Sequence, residues 1–401
     1  MAIHRSQVLL ALVLTVGAID SPAPAQDCDA DGISDADEIA AGAFDCNGNS
    51  IPDSCDLCAG GADTDRDGNL DSCERGYGNF DLDADIDGAD VGVLLTQWGA
   101  TGQAAGDLDG NGVVGGGDLG LLLVRWGPAS YGGGAPGWAT VLEFAPDPAI
   151  VIHANLRCAI IHTGLPWRVR DTATQIEMVL VPPGTFTMGE EGWATPVHRV
   201  TLTNAFYLGR SEVTQAQWQA RMGSNPSSFQ GDFDSPSRPV EQVSWDTIQS
   251  FNTATGMRFP TEAEWEYAYR AGTTTAFHSM PGYPNGTDLP NLVSYIAWYY
   301  YNTCSIAGDL CRTHAVGGKA ANALGIRDMA GNVWEWCQDW QGEYSPADQT
   351  NPTGPSSGTH RMLRGGSWSN DAVNCRASRR YYYAPPEYSN NIIGFRVARN
   401  P

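Results

Sequence analysis

The chain has 401 residues, with 46 acidic against 23 basic side chains, a net charge of −23, and 42% apolar residues. This length allows two or three domains. The charge argues against a protein that tracks nucleic-acid phosphates, which needs basic stripes to displace counterions, and the apolar and aromatic content argues against disorder throughout. The negative charge is concentrated. Residues 26–130 hold 22 acidic and three basic side chains, a net of −19, and residues 131–401 hold 23 and 19, a net of −4. An acidic block of that density either holds cations or stays an expanded, self-repelling tail.

Residues 1–25 read as an export leader. His4 and Arg5 start it, Val8 to Ile19 is a short apolar run, and Ala23-Pro24-Ala25 offers small residues before a cleavage that would leave Gln26 first. The run is shorter than the roughly 20 apolar residues that span a bilayer, and no other segment is long enough. The expected location is therefore secreted, periplasmic or cell-surface, with no transmembrane helix in the mature chain. Ten cysteines fit a disulfide-permitting compartment, although sequence alone does not give their pairing. Cys55-x-x-Cys58 lies among Asp-rich loops with no second such pair, which favours a structural disulfide over zinc.

Next comes a series of loops with calcium-ligand spacing. A twelve-residue calcium loop takes oxygens at positions 1, 3, 5, 7, 9 and 12 and turns sharply at a Gly in position 6. Asp27, Asp29, Asp31, Ile33 (through its carbonyl), Asp35 and Glu38 fit this spacing, with Gly32 at the turn. Asp63, Asp65, Asp67, Asn69, Asp71 and Glu74 repeat it around Gly68, and Asp45, Asn47, Asn49, Ile51, Asp53 and Asp56 form a looser copy with Ser50 at the turn. With their interleaved cysteines, residues 26–76 resemble thrombospondin type-3 repeats, which fold around calcium and disulfides.

Residues 77–128 contain a duplication. The segment from Asp90 to Trp98-Gly99 recurs from Asp118 to Trp126-Gly127, 28 residues on. The loop before the first copy offers Asn79, Asp81, Asp83, Asp85, Asp87 and Asp90; the second offers Asp107, Asp109, Asn111, Val113 and Asp118, with Gly112 at the turn. Each loop should lead into about two turns of helix, the first with Val91, Leu94, Leu95 and Trp98 on one face. The unit resembles a dockerin, and the resemblance implies two calcium loops and a cohesin-like or cell-surface partner. A stalk or anchor role for the pair remains open.

Residues 129–165 form a linker and lead-in. Gly127 to Gly137 is a Gly-rich hinge, and the β-branched runs WATVLEF and AIVIHANLRCAII are expected as strands. From residue 166 the chain turns rich in Trp, Tyr and Gly. Thr261 followed by Glu264 is a capping box that opens a helix, and a second helix is expected after Ser244-Trp245. The three glutamates Glu262, Glu264 and Glu266 are better explained by capping and packing than by glycosidase chemistry.

Several segments carry a further resemblance. They are Met178 to Gly189, Glu212-Val-Thr214, Pro239 to Trp245, Arg258 to Ala268, Gly325 to Trp336, Arg364-Gly-Gly-Ser-Trp368, Cys375 to Arg379 and Gly394-Phe-Arg396. Their order and spacing resemble the formylglycine-generating enzymes, or sulfatase-modifying factors, over residues 166–401. The resemblance implies an α+β, loop-rich, C-type-lectin-like domain. It implies a structural calcium site with Asn332 and Glu335 as ligands, and the loss of a second calcium site whose Asn is replaced by Ile296. It also implies oxidation of a sulfatase cysteine to formylglycine with Cu(I) on two thiolates, near an active-site Ser that falls at Ser367. The cysteines should stand three and eight residues after that Ser, where this chain has Asn370 and Cys375. Soft sulfur selects Cu(I), and a neutral amide oxygen is a poor substitute.

Three readings follow. The chain is an oxidase in which Cys337 completes the copper site, another oxidase of the superfamily, or a non-catalytic lectin-like module with Cys337 and Cys375 joined in a disulfide. Cu(I) belongs only to a chain that retains oxidase activity. In the third reading a protein or glycan is the ligand, displayed on the calcium-stiffened modules.

Overall fold

The structure, a computed structural model, describes residues 34–36, 39, 50–63, 70, 71, 75, 78–83, 85–101, 104–108, 112–124, 127–128, 136–161, 163–304 and 311–401. The leader lies outside these residues. So do the proposed ligands Asp27, Asp29, Asp31, Ile33, Glu38, Asp45, Asn47, Asn49, Asp65, Asp67, Asn69, Glu74, Asp109 and Asn111.

The first described helix, α1 (Asp53–Ala59), ends at Gly60, whose φ of +96° supplies the left-handed turn that glycine adopts without penalty. The duplicated unit follows as β1 (Asp85–Ile86), α2 (Gly88–Thr96), α3 (Gly116–Val124) and β2 (Gly127–Pro128), with β1 and β2 antiparallel. Asp87 caps α2 by accepting the Ala89 amide, and Asp90 closes the capping box. Ile86, Leu94, Val114 and Leu122 form a small core. Each fully buried aliphatic side chain there contributes about 2 kcal/mol. The expected apolar face of α2 is narrower than its sequence implies. Leu95 is 52% exposed, and the helix stops before Trp98, which is 50% exposed in the turn that follows. A two-helix unit has one thin contact layer, so a four-residue stripe is not all covered.

The remaining chain builds one large core. Its elements are β3 (Ala139–Glu143), α4 (Ala154–Ile161), β4 (Arg168–Asp171), β5 (Glu177–Val181), β6 (Gly184–Glu190), β7 (Ala194–Leu202), β8 (Phe206–Gly209), α5 (Gln215–Met222), α6 (Trp245–Thr255), α7 (Glu262–Arg270) and β9 (Ala297–Trp298). The short helix α8 (Tyr300–Thr303) precedes β10 (Ala330–Gly331), β11 (Trp334–Trp340), β12 (Gln349–Thr350), β13 (Arg361–Arg364), β14 (Tyr381–Ala384), β15 (Ile393–Gly394) and β16 (Ala398–Arg399). A five-stranded antiparallel sheet runs β16-β8-β5-β4-β3, a four-stranded sheet runs β14-β13-β11-β15, and β12-β7-β6 form a third. Strand β5 reads Met178-Val-Leu-Val181 and is buried on both faces. This mixture of short helices with several small sheets is α+β.

The run WATVLEF is a strand, β3, at the edge of the five-stranded sheet. The second β-branched run is not. Residues 154–161 are helix α4, and Ile160 and Arg157 lie three apart on its buried side. Arg157 donates to the carbonyls of Cys58 (3.0 Å) and Val151 (2.9 Å), which ties α4 to α1. Ala154, Leu156, Arg157 and Ala159 are good helix formers, and once Arg157 found these acceptors the β-branched residues did not decide the outcome.

Helix α7 forms as its sequence prescribes. Thr261 accepts the Glu264 amide at 3.1 Å, and the Glu264 carboxylate accepts the Thr261 amide at 2.8 Å. Such a cap contributes about 1 kcal/mol. Behind it, Trp265 and Ala268 enter the core. The N-cap of α6 is Ser244, as expected.

Candidate functional site

Strand β13 ends at Arg364, which is fully buried and pairs with Glu266 of α7. Gly365 and Gly366 follow with φ of +97° and +79°. A methyl on Gly366 would lie 2.9 Å from the Asn374 carbonyl oxygen and 3.0 Å from Cys375 Sγ. Glycine at 366 is therefore what lets the Ser367 turn lie against Cys375. Ser367 Oγ donates to Asn370 Oδ1 at 2.6 Å, and the indole Nε1 of Trp334 donates to the same oxygen at 2.9 Å. The Asn370 carbonyl accepts the Tyr300 amide at 2.9 Å. The amide at the place of the missing cysteine is thus held by two donors.

Cys375 is fully buried, its carbonyl accepts the Tyr269 hydroxyl at 2.7 Å, and burial, aided by Asp371, pushes its thiol up to about 12. With no metal beside it, the thiol is therefore protonated at neutral pH. Cys337 and Cys375 are both free thiols, which corrects the disulfide between them expected in the non-catalytic reading. Strand pleating explains the separation. Trp334 and Trp336 share one face of β11, and Trp334 is the residue that meets Asn370. Cys337 and Glu335 point to the other face. Cys337 has Asp339, Glu262 and Glu335 around it, and burial raises its thiol well above the ordinary range. The residues at the Ser367 turn therefore offer one protonated sulfur and an engaged amide. They do not fit a two-thiolate Cu(I) centre.

A second cluster lies under β11. Glu335 is gripped by Arg396, with contacts from 2.8 to 3.2 Å, and accepts Trp265 Nε1 at 2.7 Å. Asn332, at φ +59°, accepts the His314 amide at 3.0 Å and donates to Glu212 Oε2 at 2.7 Å. The expected calcium ligands are therefore an ion-paired carboxylate and a turn-forming amide. The free oxygen in this cluster belongs to Asp328, which sequence reasoning passed over. Its Oδ2 accepts the Gly317 amide at 2.5 Å, and its buried Oδ1 has no hydrogen-bond partner among the described residues. Burial and then the charge of Asp328 push Glu212 well up, and burial pushes Asp328 up to about 6. Glu212, Asp328 and Glu335 all lie near Arg396, but among the described residues no three such side chains converge into a set that would hold a metal. The signal available in the sequence was an acid seven residues before Glu335 in the same conspicuous segment. Ile296, at the place of the other family calcium ligand, is fully buried in the apolar core.

In the duplicated unit the acids at the ends of the two loops behave alike. Asp90 accepts the amides of Phe80 (2.6 Å) and Asp87 (2.8 Å), and Asp118 accepts those of Leu108 (2.7 Å) and Gly115 (2.6 Å). Asp107 accepts the Gly112 amide at 2.8 Å. Burial, then the charges of Asp90 and Asp83, raise Asp81. The carboxylates of the first loop are thus crowded together. Asn79 donates to the Asp83 carbonyl at 2.5 Å, and Val113 bridges Thr101. Earlier in the chain, Asp53 and Asp56 occupy the first turn of α1, Asp35 and Asp71 are buried, and Cys55 is disulfide-bonded. Cys304 and Cys311 form a further disulfide.

A loop-rich α+β domain with a Gly-Gly-Ser turn against a lone buried cysteine defines a formylglycine-generating-type scaffold. The chain belongs to the family of sulfatase-modifying factor enzyme 1-like domains, whose model matches residues 167–401. It is 31% identical over 248 residues to the chaperone protein LppX of Paenibacillus barcinonensis, covering 49% of this chain and 80% of that one. It is 35% identical over 203 residues to the formylglycine-generating enzyme of Thermomonospora curvata, covering 47% of this chain and 63% of the enzyme. Among solved structures, Treponema denticola variable protein 1 is similar at a TM-score of 0.50 and 29% identity, covering 56% of this chain and 95% of that one. Among the described residues no helix is long and apolar enough to cross a membrane.

Proposed function

We propose that the C-terminal domain binds a ligand and does not oxidise cysteine. The reading is carried by Asn370, whose side-chain oxygen is fixed by Ser367 and Trp334 where a second thiolate would stand. The full burial of Cys375, beside an amide rather than a second sulfur, supports it. A similar protein named as a chaperone also supports it, because a scaffold of this kind then serves more than oxidation. The test is to incubate the full chain with Cu(I), dioxygen and a CxPxR-type peptide. Mass spectrometry is expected to recover the peptide unmodified. Appearance of the aldehyde would overturn the proposal.

The N-terminal half is read as an exported calcium-binding stalk, its thrombospondin-type and dockerin-like loops anchoring the domain to a cohesin-like or cell-surface partner. Support comes from the repeated ligand spacing and from the crowded carboxylates around Asp81. Calcium added to the chelator-treated chain should raise the helical circular dichroism signal and the unfolding midpoint. Identical spectra and midpoints with calcium and with chelator would refute this reading.

A further inference from the structure

A cleft of about 380 Å³ opens beside the N-terminus of α7, away from the Ser367 turn. Asp339, at the end of β11, lines it and is buried. One of its oxygens, Oδ2, accepts the Glu262 amide at 2.7 Å, and among the described residues none donates to Oδ1. The walls mix Met188, Trp340, Tyr344, Pro352 and Pro355 with polar side chains, among them His198, Gln349, Asn351 and the exposed Glu343. His198 packs on Tyr344 with ring centroids 5.0 Å apart.

The charges select the ligand. Arg380 is the cation that lines this cleft, and it is already occupied. It holds Glu262 through two contacts of 2.7 and 2.9 Å and donates to the Gly342 carbonyl at 2.9 Å. It has little left for an anion, and Asp339 and Glu343 would repel one. A metal ion is equally unsuited. Glu262 is committed to Arg380, and among the described residues no three metal-ligating side chains converge. What remains is one carboxyl group with a free oxygen, bordered by methionine, aromatic and proline side chains as well as polar ones. Burial and then the charge of Glu262 push that group up to about 8, so in the empty cleft at neutral pH it is mostly protonated. A buried carboxylate is disfavoured until a cation arrives to pair with it.

We propose that this cleft binds an alkylammonium group, its carbon stem against Met188, Trp340 and the prolines and its charged head on Asp339. The inference is separate from the reading of the Ser367 turn and does not depend on whether that turn reacts. A free amine and the side chain of a lysine share this chemistry. The experiment is calorimetric titration of the full chain with n-pentylammonium chloride, with N-acetyl-lysine methylamide, and with n-pentanol as the neutral match. Pentylammonium is expected to bind and pentanol is not. Binding of the lysine derivative as well would identify a protein side chain as the source, and its failure would identify a free amine. Asp339→Asn keeps an acceptor for the Glu262 amide and should weaken pentylammonium at least about tenfold. Ser345→Trp, an exposed change at a lining residue, should also abolish binding, and it serves if Asp339→Asn fails to fold. No heat with pentylammonium, equal binding of pentanol, or unchanged affinity in the folded variants would each overturn the proposal.

Discussion

Replacing Arg396 by alanine is expected to destabilise the folded chain by about 3–5 kcal/mol, the usual cost of removing one member of a fully buried ion pair. Arg396 is completely buried, and besides gripping Glu335 it donates to the carbonyls of Gly209 (2.6 Å) and Arg327 (2.8 Å). One deletion therefore leaves a charge and two carbonyls unpaired at the point where β8, β11 and the segment before β10 meet. Arg396→Lys should recover only part of the loss, because an ammonium cannot reproduce the forked contact. Urea denaturation followed by tryptophan fluorescence would measure both variants. A loss under about 1 kcal/mol for the alanine variant would show that the pair does not hold these elements together.

The calcium-free chain is expected to be most stable near pH 5 and to weaken towards alkaline pH. Four buried acids have raised values: Glu241 about 7, Asp328 about 6, Asp339 about 8, and Glu212 well above the ordinary range. Burial is the leading cause in each. Their folded forms hold more protons than the unfolded chain between the ordinary carboxylate value and the raised one. The stability they contribute is complete below that window and is lost as pH rises through it. Glu177, Glu190 and Glu262 act in the opposite direction. Burial alone would raise them, but Arg170, Arg376 and Arg380 respectively hold them below the usual range. Their contribution disappears as pH falls below about 4. Thermal unfolding in chelator should show a midpoint at least about 5 °C lower at pH 8.5 than at pH 5. A midpoint that is flat or rises between those values would contradict the account.

Some of this was legible in the residues and some was not. The cap of α7 could be read because the Thr261–Glu264 exchange is local, and the substitution at Asn370 because the Ser367 motif fixes its own numbering. Other features depended on partners distant in sequence. Residues 154–161 looked like a strand until Arg157 found the carbonyls of Cys58 and Val151. Leu95 and Trp98 looked buried until the thinness of the α2–α3 contact left them exposed. That Asp328 holds the unpaired oxygen of the cluster under β11 depends on tertiary contacts, which no spacing reveals. One clue was overlooked. In Trp334-Glu-Trp-Cys337, simple alternation already placed Cys337 on the face away from Trp334, and so away from Asn370 and the Ser367 turn.

The protonated, inaccessible state of Cys337 and Cys375 also bears on survival in an oxidising milieu. Attack on a disulfide requires a thiolate that can reach it, and burial denies both sulfurs the charge and the access. Neither cysteine is therefore equipped to shuffle the Cys304–Cys311 crosslink.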